Sequence, residues 1–185
     1  LIDSAALRGL GSDQTLVLVN GKRRHTVALV NLFGARNRGN TGTDMNGIPV
    51  MAIREVQVLR DGAAAQYGSD AIAGVINLGL RDDDDGLELN ARYGQSYEGD
   101  GKDLQLSANA GFKLGEGFFN ISGEFIDQGL FNRARDRPDS AALRDAGVDV
   151  PFPPTRYGQP ENTAYRVVIN SAIPVDADTE LYFFG

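Results

Sequence analysis

The side chains that could do chemistry are few and scattered along this chain of 185 residues. Its single histidine, His25, ends the run Lys22-Arg23-Arg24-His25 after the tight turn Asn20-Gly21, with no cysteine in the chain and no obvious nucleophile beside it. One imidazole cannot build a cluster, and the lack of thiols excludes disulfides and thiolate metal sites. His25 reads as structural. The run Asp82 to Asp85 before Gly86 lacks the spaced ligands and central glycine of a calcium loop and reads as a solvated connector. Gly9-Leu10-Gly11 is followed by Ser12, Asp13 and Gln14, so it misses the third glycine of a dinucleotide fingerprint, and it precedes a strand instead of following one. An enzyme has little to stand on here, and no cofactor or metal is implied. Hydrogen-bonding chemistry remains. In the loop Asn31 to Asn46, Arg36, Asn37, Arg38 and Asp44 could bind a polar or anionic solute, although a glycine-rich loop of this composition is equally compatible with simple mobility.

The elements that must position these groups fall into two patterns. Up to about Arg81 the chain is mixed. A short helix is expected before Arg8, a strand at Thr15 to Val19, and a long glycine- and asparagine-rich loop from Asn31 to Gly47. A compact unit follows from Ile53 to Leu80. There, β-formers run to Leu59 and stop at Asp61-Gly62, Ala63 to Gln66 favour one or two helical turns, Gly68 ends them, and Val75 to Leu78 reads as another strand. From Leu87 the period becomes two. Leu87, Leu89, Ala91 and Tyr93 alternate with Glu88, Asn90, Arg92 and Gly94, and the pattern recurs at Leu104 to Phe112 and at Phe119 to Phe125. A fourth strand over Tyr165 to Ile173 is less clean because Val168 sits on its polar side, and a fifth starts at Thr179.

Eighteen basic against 25 acidic residues leave a net charge of -7, which argues against nucleic acid as a partner. No apolar run is long enough for a spanning helix, but a spanning strand needs only about 9 to 11 alternating residues. The short connections at Gly115-Glu116-Gly117 and Pro174 to Asp178, set against the long loop Asp127 to Asn162, follow the short-turn, long-loop asymmetry of outer-membrane barrels. The opening LIDSAALRG lacks the basic start and apolar core of a secretory signal, so residues upstream of Leu1 are expected.

The motifs LRGLG, TLVLVNGKRRH, IPVMAIREVQVLRDG and AAQYGSDAIAGVIN, in this order and spacing, resemble the plug domain of TonB-dependent outer-membrane receptors. Arg60-Asp61-Gly62 stands where many members have Arg-Gly-Pro, which is also a turn. The resemblance implies an α+β plug over residues 1–81, an acidic connector over 82–86, and over 87–185 the first five or so antiparallel strands of a large transmembrane β-barrel of about 22 strands. It implies energy-coupled uptake of a scarce solute such as a siderophore, cobalamin or a saccharide across a Gram-negative outer membrane. The partners would be the small-molecule ligand, outer-membrane lipid, and the inner-membrane TonB complex reached through an upstream segment. It also implies that Arg8 and Arg60 contact glutamates of the inner barrel wall, with Glu55 a local partner for one of them; otherwise the three would read as ordinary surface charges. Arg36, Asn37, Arg38 and Asp44 would lie on a ligand-facing apical loop. The competing reading is a soluble or surface β-rich binding module, whose apolar strand faces would meet each other instead of lipid.

Overall fold

The computed structural model describes residues 4–32, 38–135, 138–150 and 158–185. The continuous apolar run Thr15–Val19 forms β1, and all five of its residues are buried. Asn20 and Gly21 both take positive φ, 47° and 74°, which suits the twist of a two-residue hairpin and returns the chain as β2 (Lys22–Arg23). The unit over 53–80 then supplies β3 (Ile53–Leu59), the short helix α1 (Ala63–Tyr67) and β4 (Gly74–Leu80). The sheet order is β2-β1-β4-β3, with β1 and β4 parallel from Thr15↔Gly74 to Val19↔Leu78. Strands buried on both faces of a sheet carry near-continuous apolar sequence, and these two do. One face packs Val17, Val19, Ile76, Leu78 and Leu80; the other packs Leu16, Leu18 and Val75 against Ala63 and Ala71.

Among the described residues before Arg8, 4–7, the expected helix does not form. Ser4 makes an isolated bridge with Asp44, the Leu7 N–H donates to Thr15 Oγ1 at 3.3 Å, and Arg8 turns the chain at φ 58°. Three helix formers cannot repay helix nucleation when their backbone has other partners.

The period-two region forms β5 (Leu87–Gly94), β6 (Asp103–Leu114) and β7 (Gly117–Gln128). A small pair follows, β8 (Phe131–Asn132) and β9 (Gly158–Gln159), and then β10 (Asn162–Pro174) and β11 (Glu180–Phe184). The five long strands lie in the order β11-β10-β7-β6-β5. The long loop also holds helix α2 (Pro138–Asp145), whose signals were present: proline at its first position, Asp139 in the first turn, then Ala141-Ala142-Leu143-Arg144.

Burial on this sheet is inverted relative to a water-soluble one. Asn109, Asn120, Ser122 and Asn170 are buried, whereas Leu87, Leu89, Leu106, Phe112, Val167, Leu181 and Phe183 are exposed. Val168, which spoiled the alternation of the fourth strand, is 8 % exposed and belongs to the same apolar cluster as Val17 and Leu78. Phe118 shares the inward parity of Asn120 and Ser122 along β7.

Two compact units result, one of residues 1–88, 108–123 and 166–185, the other of 89–107 and 124–165. Within the first, the acidic run is tied down through its backbone. The Gly111 N–H donates to Gly86 O at 3.0 Å, and Asn120 Nδ2 donates to Asp83 O at 3.2 Å. A Cβ at Gly111 would stand 2.4 Å from Asp83 O. Gly111→Ala should therefore lift the 83–86 backbone and destabilise the unit by about 1–3 kcal/mol, seen as faster hydrogen exchange of the residue-111 amide. Unchanged exchange would show that the connector is not held by this contact.

Candidate functional site

Polar side chains on the buried face of the strands form a seam with the small sheet. Asn20, at the β1–β2 turn, accepts from the Leu80 N–H at 2.8 Å and donates through Nδ2 to Asn170 Oδ1 at 3.1 Å; Asn170 in turn donates to Arg81 O at 2.9 Å. Asn77 accepts from the Gly21 N–H at 2.9 Å, which fixes the same turn. Farther along, Asn109 donates to Asn120 Oδ1 at 2.6 Å and to Ser122 Oγ at 2.7 Å. A buried amide costs free energy unless its donors and acceptors are paired, and these are.

The charged residues singled out by sequence are placed differently. Arg8 Nη1 donates to Arg60 O at 3.2 Å and pairs with Asp61 at 3.1 Å, so the two motifs carrying Arg8 and Arg60 do meet, through backbone and Asp61. Glu55 is not the local partner of either arginine. It accepts from Gln57 Nε2 at 3.1 Å and pairs with Arg54 at 3.5 Å. The reason is strand geometry: Glu55 and Arg60 are five residues apart in extended chain, about 16 Å.

In the glycine-rich loop, the Val27 N–H donates to Gly42 O at 2.9 Å and the Asn31 N–H to Asn40 O at 3.0 Å, pairing its two arms. Arg38 is exposed at the turn with Gly39, while Asp44 accepts from the Asn46 N–H at 3.0 Å and so caps its own loop. Arg36 and Asn37 lie outside the described residues.

In the second unit, Arg133 grips Asp100 with two nitrogens, one at 2.7 Å, donates to Ser96 Oγ at 3.1 Å, and lies 4.0 Å over the Phe131 ring. The hydrogen bonds from Arg133, then that from Ser96, hold the Asp100 carboxyl well below the usual carboxylate range, and the bond to Asp100 pushes the Arg133 guanidinium further up. Among the described residues no group of three or more His, Asp or Glu could hold a metal ion. No described helix is long and apolar enough to cross a membrane, which says nothing of strands.

Residues 2–75 match the family model of the TonB-dependent receptor plug domain. That stretch is a TonB-dependent receptor plug domain. Over 153 residues, 83% of the chain, it is 30% identical to the probable TonB-dependent siderophore receptor PirA of Acinetobacter baumannii, covering 19% of that protein. Over 75 residues it is 40% identical to the ferric enterobactin receptor PirA of Pseudomonas aeruginosa, which is 39% of this chain and 10% of that one. The fold matches a crystal structure of a variant of the ferric enterobactin receptor PfeA from Pseudomonas aeruginosa in complex with enterobactin. The TM-score is 0.64 at 20% identity, over 96% of this chain and 25% of that one. The chain thus spans a fifth or less of the length of these curated relatives. Its architecture is that of a TonB-dependent receptor plug followed by antiparallel strands in an unclosed sheet.

Sequence reasoning sought the plug's contacts among arginines and missed the asparagines. Their signal was present, as Asn109, Asn120 and Asn170 all occupy the polar phase of an alternating strand. A double-mutant cycle on Asn20→Ala and Asn170→Ala should give a coupling of about 1 kcal/mol in chemical unfolding, and a coupling near zero would show that the seam is not cooperative. The Ser96–Asp100–Arg133 clasp gives a pH prediction. Asp100 has its folded pKa lowered from 3.8, so its stabilisation is complete above that value and is lost only as pH falls through the lower folded pKa. Pepsin cleavage near these residues should stay slow at pH 4 and rise in stronger acid, whereas Asp100→Asn should already be cleaved faster at pH 4.

Proposed function

We propose that this chain forms the plug and the opening barrel wall of an energy-coupled importer in a Gram-negative outer membrane, and that its cargo is a ferric siderophore. The observation that carries the reading is the inverted sheet beside the plug: an exposed apolar face suited to lipid and a buried polar face against the sheet that would close the barrel. The siderophore choice is supported by the names of the two curated relatives. In this reading residues 1–81 are the plug, 82–86 the connector and 87–185 the first barrel strands. Arg8 and Arg60 present guanidiniums, and Glu55 a carboxylate from β3, to parts of the wall outside this chain; a guanidinium suits the task because it stays charged and can hold a carboxylate with two parallel bonds. Arg36, Asn37, Arg38 and Asp44 face incoming ligand. The plug seals the barrel at rest, and the inner-membrane TonB complex opens it. Binding, sealing and release are all non-covalent, so no enzymatic step enters.

The test is uptake. The full-length receptor, expressed in a Gram-negative host lacking its own siderophore receptors, should import radiolabelled ferric enterobactin or another ferric siderophore only when TonB is present. No uptake from any siderophore class, with the receptor in the outer membrane, would sink the reading. The lipid-facing assignment has its own check. Val167→Arg should cost about 2–4 kcal/mol of barrel stability if Val167 faces the bilayer interior, lowering the amount of heat-modifiable folded receptor. An unchanged folded fraction would count for a soluble β-rich module.

A further inference from the structure

The chain holds two Asn-Gly dipeptides, Asn20-Gly21 and Asn46-Gly47. Such a pair carries its own chemistry. Glycine has no side chain to screen its backbone nitrogen, which can attack the asparagine Cγ, close a five-membered succinimide and expel the side-chain nitrogen as ammonia, its own proton leaving with it. Water then opens the ring to aspartate or isoaspartate. At Asn20-Gly21 both reacting groups are held. The nucleophile is the Gly21 nitrogen, and its N–H donates to Asn77 Oδ1 at 2.9 Å. Asn77 is itself oriented from β3, because its Nδ2 donates to Gln57 Oε1 at 3.1 Å. The electrophile is the Asn20 carboxamide, whose Oδ1 accepts from the Leu80 N–H at 2.8 Å while Nδ2 donates to Asn170 Oδ1 at 3.1 Å. It cannot swing onto the Gly21 nitrogen without giving up both bonds. The Asn20 N–H donates to Leu78 O at 2.9 Å, which fixes the backbone of the same turn. All of these partners belong to one compact unit. Asn46-Gly47 lies in a turn closed by the Ile48 N–H donating to Met45 O at 3.2 Å, with Gly47 exposed.

We propose that Asn20-Gly21 is a latent modification site, a succinimide-forming pair that the folded plug keeps closed, with Asn77 as the residue that occupies the attacking nitrogen. Deamidation at Asn20 then requires this turn to open first, and the product is a covalent record of the opening. The product also prevents the turn from closing as before. An aspartate at position 20 has no N–H for Asn170 Oδ1, so two acceptors would face each other in the half-buried seam, and isoaspartate would lengthen the main chain of a two-residue hairpin. The assignment is independent of what the receptor imports.

The experiment incubates the full-length receptor, purified in detergent, at mildly alkaline pH and follows deamidation at Asn20 and Asn46 by peptide mass spectrometry, in the native state and in denaturant. In the wild type, Asn20 should react about tenfold or more slowly in the native receptor than in denaturant, because reaction waits on local opening. Equal rates in the two states overturn the proposal without any variant having to fold. Asn77→Ala frees the Gly21 N–H and should raise the native rate at Asn20 by about tenfold, the worth of one hydrogen bond, while the rate at Asn46 stays as in the wild type. Asn77→Asp keeps an oxygen for that N–H and should hold Asn20 near its wild-type rate. No rise in Asn77→Ala, a rise shared equally by Asn46, or the same rise in Asn77→Asp overturns the assignment of Asn77.

Discussion

The rest of the structure depends on the burial of asparagine amides on the inner face of a sheet whose outer face is apolar and open. In water the reverse arrangement would be favoured, since each exposed leucine or phenylalanine forgoes roughly 1.5–3 kcal/mol of burial. The strands accept that loss on one side and satisfy their polar groups on the other. Asn109, Asn120 and Ser122 close a small network among themselves, while Asn170 reaches Asn20 and the Arg81 carbonyl. An amide left unpaired there would cost more than the bond it lost, so the register of the strands against the small sheet follows from matching every partner.

Where the inner face is apolar, it completes the plug's own core. Val168 packs with Val17, Val19, Ile76 and Leu78, and Phe184 lies against the same cluster. A residue that looked like a flaw in an alternating strand is thus the apolar contact between wall and plug. The plug sheet itself is small, with two-sided burial confined to β1 and β4 and a two-residue strand at one edge. Small cores are marginal, and the neighbouring strands supply part of what a free-standing domain would have to supply alone.

Electrostatic contacts act at a different level. Arg8–Asp61 joins side chains that are 55 % and 88 % exposed, and a pair so accessible to solvent contributes little to stability. Its effect is to keep two turns in register. The Asp100–Arg133 clasp is stronger in geometry, being two-pronged and backed by Ser96 and an aromatic ring, and it ties the turn after β5 to the end of β8.

The sequence by itself determined the elements whose signal is local. The Asn20-Gly21 hairpin, the strand Thr15–Val19, the unit from Ile53 to Leu80 and the period-two strands are set by turn chemistry, two-sided apolar runs and alternation, each legible over a few residues. The family motifs were legible for the same reason. Only the tertiary structure decided which polar residues are structural. Asn20 and Asn170 are separated by 150 positions, and nothing in either neighbourhood names the other. Glu55 reads in sequence as a local partner for Arg8 or Arg60, but it pairs with Arg54 and accepts from Gln57, and an extended strand carries it away from Arg60. Side-chain pairing across a fold depends on which strands become neighbours and in what register, and that is settled by long-range packing rather than by local sequence.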